Sequence, residues 1–276
     1  MQTINCSGRL IDLSTPRVMG IVNVTPDSFY DGGKLKSDTD LLHQVTKMLT
    51  DGATFIDIGG YSSRPDGVDI SVDDELNRVI PMIEVLCREF KNLNLSIDSF
   101  RASVIDQAIQ HGANMVNDIS AGTIDEKVIE TVALHQVPYI MMHMRGTPQT
   151  MKCLTNYDNL IKDINFYFSE RIATARAAGI NDIIIDPGYG FAKTIDQNFE
   201  LLKNQDLLNV HNVPVLSGIS RKSMIYKTLD IEASQALNGT SALHMLCLQK
   251  GASLLRVHDV KEAMEVIKLY HMLETN

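Results

Sequence analysis

The sequence predicts an α/β protein of the (β/α)8 TIM-barrel class, and three observations carry that prediction. First, a short motif recurs in which glycine closes a helix, a small and a polar residue follow, and an apolar strand begins. It reads Gly52-Ala53-Thr54-Phe55-Ile56-Asp57, Gly112-Ala113-Asn114-Met115-Val116-Asn117 and Gly251-Ala252-Ser253-Leu254-Leu255-Arg256, and more loosely Gly179 to Asp186. Glycine suits the left-handed residue that ends a helix, and the apolar run suits a parallel strand buried on both faces. Second, the apolar spacing between these strands switches to the helical period. Third, no Pro/Ser/Gly-rich linker, long charge block or low-complexity tract divides the 276 residues, so one domain over 1–276 is expected. Alternating β and α with short joins implies a parallel sheet, and eight repeats in ~250 residues make a closed barrel.

Taken in order, Thr3-Ile4-Asn5-Cys6 and Arg9-Leu10-Ile11-Asp12-Leu13 alternate like a small hairpin, placed here as a plug under the barrel's N-terminal end. Val18 to Val22 is the first barrel strand. Leu41, Leu42, Val45, Met48 and Leu49 form the stripe of a helix that Gly52 closes before the strand at Phe55. Ser71-Val72-Asp73-Asp74 opens the next helix with capping chemistry, and Asp73-Asp74-Glu75 suits the helix dipole without an active role. Its stripe is Leu76, Val79, Ile80, Ile83, Leu86, Cys87 and Phe90. Further strands follow at Leu95 to Ile97, at Met115 and at Ile183 to Asp186, and the last begins at Leu254. Proline announces Val137-Pro138-Tyr139-Ile140-Met141-Met142 and Val213-Pro214-Val215-Leu216. Each strand is expected to lead into a helix of about ten or more residues. A doubly wound dinucleotide-binding sheet is the rival, but its glycine fingerprint after the first strand is absent.

The 25 Lys+Arg against 34 Asp+Glu give a formal charge of -9, which argues against nucleic acid as the main partner. No apolar run approaches the roughly 18 to 20 residues that span a bilayer. The start Met1-Gln2-Thr3-Ile4-Asn5-Cys6 lacks a basic-then-apolar signal, so no membrane partner and a cytoplasmic location are expected. Cys6, Cys87, Cys153 and Cys247 lie far apart, which favours reduced, buried thiols over disulfides or zinc.

Functional groups of such a barrel sit at the C-terminal ends of its strands. Here every apolar run ends in something polar: Asn23, Asp57, Asp98, Asn117 with Asp118, His143, Asp186, Ser217 followed by Arg221-Lys222, and Arg256 with His258. Any one of these is commonly a helix cap, but eight together point to a lined site. The set divides by charge. Asp98, Asn117 and Asp186 are acceptors suited to a flat heterocycle with several N–H donors along one edge. A buried carboxylate without a counterion is costly, so Asp186 needs a donor-rich ligand or a basic neighbour such as Lys222. Arg64, Arg256 and His258, with Asn23 at their edge, form a cationic cluster. In an acidic protein that points to a phosphorylated ligand, with Mg2+ shared between Asn23 and phosphate oxygens.

Residues 18–33, VMGIVNVTPDSFYDGG, with Asp57-Ile58-Gly59-Gly60-Tyr61-Ser62-Ser63-Arg64-Pro65, Ser96-Ile97-Asp98-Ser99, Val116-Asn117-Asp118 and Met142-His143-Met144 begin an ordered motif set. It continues through Asp186-Pro187-Gly188-Tyr189-Gly190-Phe191-Ala192-Lys193, Ser220-Arg221-Lys222-Ser223 and Arg256-Val257-His258-Asp259. Together these resemble the dihydropteroate synthase family over nearly the whole chain, and the opening stretch is the most specific part. The resemblance implies a (β/α)8 barrel that joins 6-hydroxymethyl-7,8-dihydropterin pyrophosphate to 4-aminobenzoate, releasing pyrophosphate in folate synthesis. It places Asp98, Asn117, Asp186 and Lys222 on the pterin ring. Pyrophosphate falls to Asn23 through Mg2+ and to Arg64, Arg256 and His258. Aminobenzoate falls near Ser63, Arg64, Pro65, Phe191, Lys222 and Ser223, under a mobile cover made from Thr25-Pro26-Asp27-Ser28-Phe29 and the Ser62 to Pro65 loop. Asp98, Lys222, Arg256 and His258 are the implied catalytic residues. In the family the pyrophosphate leaves before the amine attacks, through a cationic pterin methylene. A homodimer is implied, through late helices such as Ala236 to Leu248.

The family usually has Glu-Ser-Thr-Arg-Pro-Gly where this chain has Tyr61-Ser62-Ser63-Arg64-Pro65-Asp66, so an acid and a glycine are replaced. Two other functions fit the same motifs in part. One is the pterin module of a corrinoid methyltransferase, which has no pyrophosphate to hold; the other is a non-catalytic pterin-binding protein. The Gly188 to Lys193 stretch lacks Walker spacing and reads as a shaped turn with Lys193 structural or peripheral. Met141, Met142 and Met144 read as core and pocket wall. His43, His111, His135, His211, His244 and His271 lack ligand spacing and read as surface or packing residues.

Overall fold

The computed structural model describes residues 2–24, 30–31, 34–35, 38–63 and 67–275. The expected cover at 25–29, and Arg64 and Pro65, lie outside these residues. Two strands, β1 (Thr3–Cys6) and β2 (Arg9–Asp12), pair antiparallel ahead of the barrel. Their two-residue loop, Ser7-Gly8, has positive φ at both positions, the conformation that matches the twist of a tight hairpin.

Eight parallel strands then close on themselves: β3 (Arg17–Asn23), β6 (Phe55–Gly59), β7 (Leu95–Asp98), β8 (Met115–Asp118), β9 (Tyr139–Met142), β10 (Ile183–Asp186), β11 (Val215–Ser217) and β12 (Ala252–Val257). Each lies beside the next, and β12 returns to β3 with Leu254 opposite Arg17. After β3 the chain forms a small antiparallel pair, β4 (Tyr30–Asp31) with β5 (Lys34–Leu35).

The helices are α1 (Asp38–Thr50), α2 (Val72–Glu89), α3 (Ala102–Gln110), α4 (Lys127–His135), α5 (Leu160–Ala177), α6 (Ile195–Lys203), α7 (Ser223–Tyr226), α8 (Leu237–Gln249) and α9 (Val260–Thr275). The capping expected at Ser71 is present: Ser71 Oγ accepts from Asp74 N–H at 3.1 Å, and the Asp74 carboxylate reaches back to Ser71 N–H. The expected length of ten or more residues fails at α3, α4 and α6, with nine each, and at α7, with four. A nine-residue helix covers ~13.5 Å, enough to run back along a four-residue strand of ~13 Å, so nothing longer is needed. The predicted left-handed closures hold. Gly112 has φ +119, and a Cβ there would meet Cys87 Sγ at 2.6 Å, so only glycine fits.

The large apolar layer lies between strands and helices. A second layer fills the barrel interior, where Met19, Phe55, Met115, Ile140, Ile184, Leu216 and Leu254 meet Ile4, Cys6 and Leu13 from the hairpin segment. The hairpin is therefore the plug expected of it. No disulfide forms among the described residues. Cys6 and Cys247 are buried and Cys87 is half-buried, but Cys153 is exposed, contrary to the expectation of buried thiols. No helix among the described residues is long and apolar enough to cross a membrane.

Candidate active site

Side chains along a strand alternate faces, so the interior layer determines which residues line the mouth two positions further on. Phe55 leads to Asp57, Met115 to Asn117, Ile140 to Met142, Ile184 to Asp186 and Leu254 to Arg256. Residues of the opposite parity face the helices. Asp118 accepts from the Ser120 hydroxyl and the Tyr139 hydroxyl, both at 2.7 Å, and Ser217 Oγ donates to Gln205 Oε1 at 2.7 Å. His143 sits beneath the turn after β10, against Lys193. Of the polar strand ends expected to line a site, these three instead build loops.

Arg256 lies at the centre of the ring. Its Nε donates to Asp57 Oδ2 at 2.6 Å and its Nη2 to Asp98 Oδ2 at 2.7 Å. The same Asp57 oxygen accepts from Asn117 Nδ2 at 2.9 Å, while the other oxygen, buried, has no partner among the described residues. Burial pushes Asp98 up to about 7, against the pull of Arg256 and with a further push from Asp57. Burial also works against the Arg256 charge, but the Asp57 and Asp98 carboxylates outweigh it and hold the guanidinium above its ordinary value. Arg256, expected from the sequence in an anion-binding cluster, is thus a cation braced by two acids, with Nη1 unbonded among the described residues. The sequence places Asp57 among the eight polar strand ends that line the mouth but gives it no partner or ligand. Its parity with Phe55 was the signal that it belongs to the inner ring.

Asp186 closes the opposite side. Burial raises its pKa, Lys222 is the main opposing influence, and its Oδ1 accepts from Gly188 N–H at 2.8 Å. Lys222 stands at the N-terminus of α7, immediately before Ser223. Burial pushes its ammonium down to about 8, with Asp186 resisting. Its Nζ donates to the Tyr189 carbonyl and lies 4.7 Å from the centre of the Phe191 ring. The expected pairing of Asp186 with Lys222 is therefore one of field, not of contact.

His258 follows β12. Burial, then Arg256, pushes it down to about 4, so the imidazole is neutral at neutral pH and is no member of a cationic trio. Ser220 Oγ accepts from His258 N–H at 3.2 Å and lies 3.0 Å from Nδ1. When that hydroxyl donates to Nδ1, the ring proton sits on Nε2, available to a ligand. Arg221, beside it, makes a two-pronged pair with Asp259 at 2.7 and 2.9 Å that fixes the loop. Ser63 is half-buried beyond β6, and Asn23 is exposed at the end of β3.

Among the described residues no three His, Cys, Asp or Glu side chains group as a metal cage. Mg2+ seldom uses one; it keeps its waters and takes one or two protein oxygens plus substrate phosphates. A lone amide oxygen at an open strand end, as on Asn23, fits that pattern.

Known proteins resemble this chain over most of its length. The pterin binding enzyme family matches residues 19–258. The dihydropteroate synthase of Escherichia coli (strain K12) is 40% identical over 264 residues, which are 95% of this chain and 93% of that protein. The chain belongs to the dihydropteroate synthase family. The Synechocystis sp. dihydropteroate synthase is 44% identical over 255 residues, covering 91% of this chain and 88% of that one. Among solved structures of this transferase family, the Yersinia pestis dihydropteroate synthase in complex with a sulfonamide drug superposes with a TM-score of 0.93 at 39% identity over 100% of both chains. The Xanthomonas albilineans enzyme with 4-aminobenzoic acid gives 0.92 at 38% identity, over 99% of this chain and 98% of that one.

Proposed function

We propose that the protein is a dihydropteroate synthase that condenses 6-hydroxymethyl-7,8-dihydropterin pyrophosphate with 4-aminobenzoate to give 7,8-dihydropteroate and pyrophosphate. The observation that carries this reading is the inner ring, in which Asp98, Asn117 and Asp186 present acceptors while Arg256 at its centre and Lys222 beside Asp186 supply positive charge. Donors on the pterin edge meet Asp98, Asn117 and Asp186, and Lys222 donates to a ring acceptor. The pyrophosphate meets Arg256 Nη1, the Nε2–H of a neutral His258, and Arg64. Mg2+, held by the Asn23 amide oxygen, would neutralise charge growing on the leaving pyrophosphate. As that charge separates, the Asp98 carboxylate faces positive charge on the pterin methylene, and opposed fields on the two fragments lower the barrier. Phe191, Lys222, Ser223 and Ser63, with Arg64 and Pro65, seat the arylamine. Support for an arylamine subsite comes from the 4-aminobenzoic acid on the Xanthomonas relative and the sulfonamide drug on the Yersinia relative.

A homodimer in the cytoplasm completes the proposal. α8 buries Thr240, His244, Cys247 and Leu248, so the apolar residues it offers a partner reduce to Leu246 and Ala242, with Leu269 and Leu273 exposed on α9, which packs beside it.

Incubating the protein with pterin pyrophosphate, 4-aminobenzoate and Mg2+ and assaying both products tests the reaction. Dihydropteroate and pyrophosphate in equal amounts are expected. Tight pterin binding with no product would replace the synthase by a non-catalytic binder, and methyl transfer to a cobalamin partner would replace it by the corrinoid module.

A further inference from the structure

Lys193 is a buried amine that the reaction above does not use. It is 8% exposed, and no carboxylate lies within ion-pairing distance of it among the described residues. Instead Nζ has three partners: the carbonyls of Gly188 and Phe191 at 3.0 and 3.1 Å, and His143 Nδ1 at 3.0 Å. These satisfy it in either protonation state. An ammonium donates to all three, whereas a neutral amine donates to the two carbonyls and accepts from Nδ1–H.

The two carbonyls belong to the turn between β10 and α6, whose shape other contacts also hold. A Cβ at Gly188 would lie 2.1 Å from the His143 carbonyl oxygen, so the turn is pressed flat against the end of β9. Lys222 Nζ takes the Tyr189 carbonyl, and the Tyr157 hydroxyl donates to the Ala192 carbonyl at 3.0 Å. Four of the five carbonyls from 188 to 192 are thus bound by side chains from outside the turn or at its far end. What the turn carries is Phe191, whose ring faces the Lys222 ammonium.

We infer that Lys193 is a positioning residue for the arylamine half of the site, tying down the turn so that Phe191 stays against Lys222. The pterin half depends on it less, because Asp98 and Asn117 stand on strands remote from the turn, while Asp186 and Lys222 meet the turn at Gly188 N–H and the Tyr189 carbonyl, groups that Lys193 does not hold. This rests on the proposed synthase activity and names the residue that shapes its second substrate's seat.

The test is steady-state kinetics with each substrate varied in turn, on wild type, Lys193→Met and Tyr157→Phe. Lys193→Met keeps the length and removes every donor. Its KM for 4-aminobenzoate is expected to rise about tenfold, while the KM for the pterin pyrophosphate moves less than about twofold. Tyr157→Phe keeps the ring, loses one hydrogen bond to the same turn, and should raise the amine KM about threefold. Unchanged amine KM in both variants overturns the inference, as does an equal rise in both KM values, the mark of general loosening. Should Lys193→Met fail to fold, the amine KM of Tyr157→Phe decides alone. Wild type without turnover overturns the synthase reading and this inference together; an active wild type with unaffected variants overturns the inference only.

Discussion

On the proposed reading Asp98 and Lys222 would face one ligand from two sides, with displaced and neighbouring pKa values, near 7 and near 8. Below about 7 Asp98 is protonated and becomes an uncharged, weaker acceptor for a charged or polarised N–H; above about 8 Lys222 loses its charge. Pterin pyrophosphate affinity should therefore rise with pH through about 7 and fall beyond about 8, a bell that calorimetric titration across that interval would trace. In Asp98→Asn the acidic limb should vanish. Asp98→Ala and Lys222→Ala are each expected to cut dihydropteroate formation about 100-fold or more with an unchanged circular dichroism spectrum. Asp57→Asn should also lower turnover, because it removes the charge that holds Arg256 and Asn117 in place; wild-type rates in that variant would dismiss the bracing role. At this scale, the sequence made the polar strand ends legible but not their direction. Asp118, His143 and Ser217 look like Asp57 and Asp186 in the chain, and strand parity separates them only once the interior layer is known. The neutral state of His258 was hidden for a different reason: burial and a nearby guanidinium are properties of packing.

The plug and the helix caps were legible because local pattern and tertiary role agree there. Alternation in Thr3 to Cys6 puts Ile4 and Cys6 on one face, and that face meets the barrel interior. Leu13→Ala leaves a cavity at this junction and should cost about 2–5 kcal/mol in chemical denaturation. Ser71→Ala removes the cap of α2 and should cost about 1 kcal/mol by the same measurement. Helix lengths were less legible. After α6 the chain continues as a tight 3-10 turn, Gln205–His211, and after α7 it bends again before α8, and apolar spacing persists across both breaks. Periodicity reports which face is buried, not where the axis changes.

The charge of -9 and the absence of linkers constrained the molecule to one acidic barrel without locating any contact between copies. The stretch Ala236 to Leu248 looked more apolar than one barrel face requires, but Ala236, Thr240, His244, Cys247 and Leu248 are interior. If α8 and α9 pair with a second copy, Leu246→Glu should halve the mass measured by light scattering while turnover per chain persists; a wild type already of single-chain mass removes the dimer from the proposal.

Because Ile4, Cys6 and Leu13 stopper its lower end, the barrel is a cul-de-sac. A ligand of Asp98, Asn117 and Asp186 then has one doorway, at the C-terminal ends of the strands. On the synthase reading proposed above, both substrates and the joined product would share it, so an arylamine seated before the pterin would act as a cork.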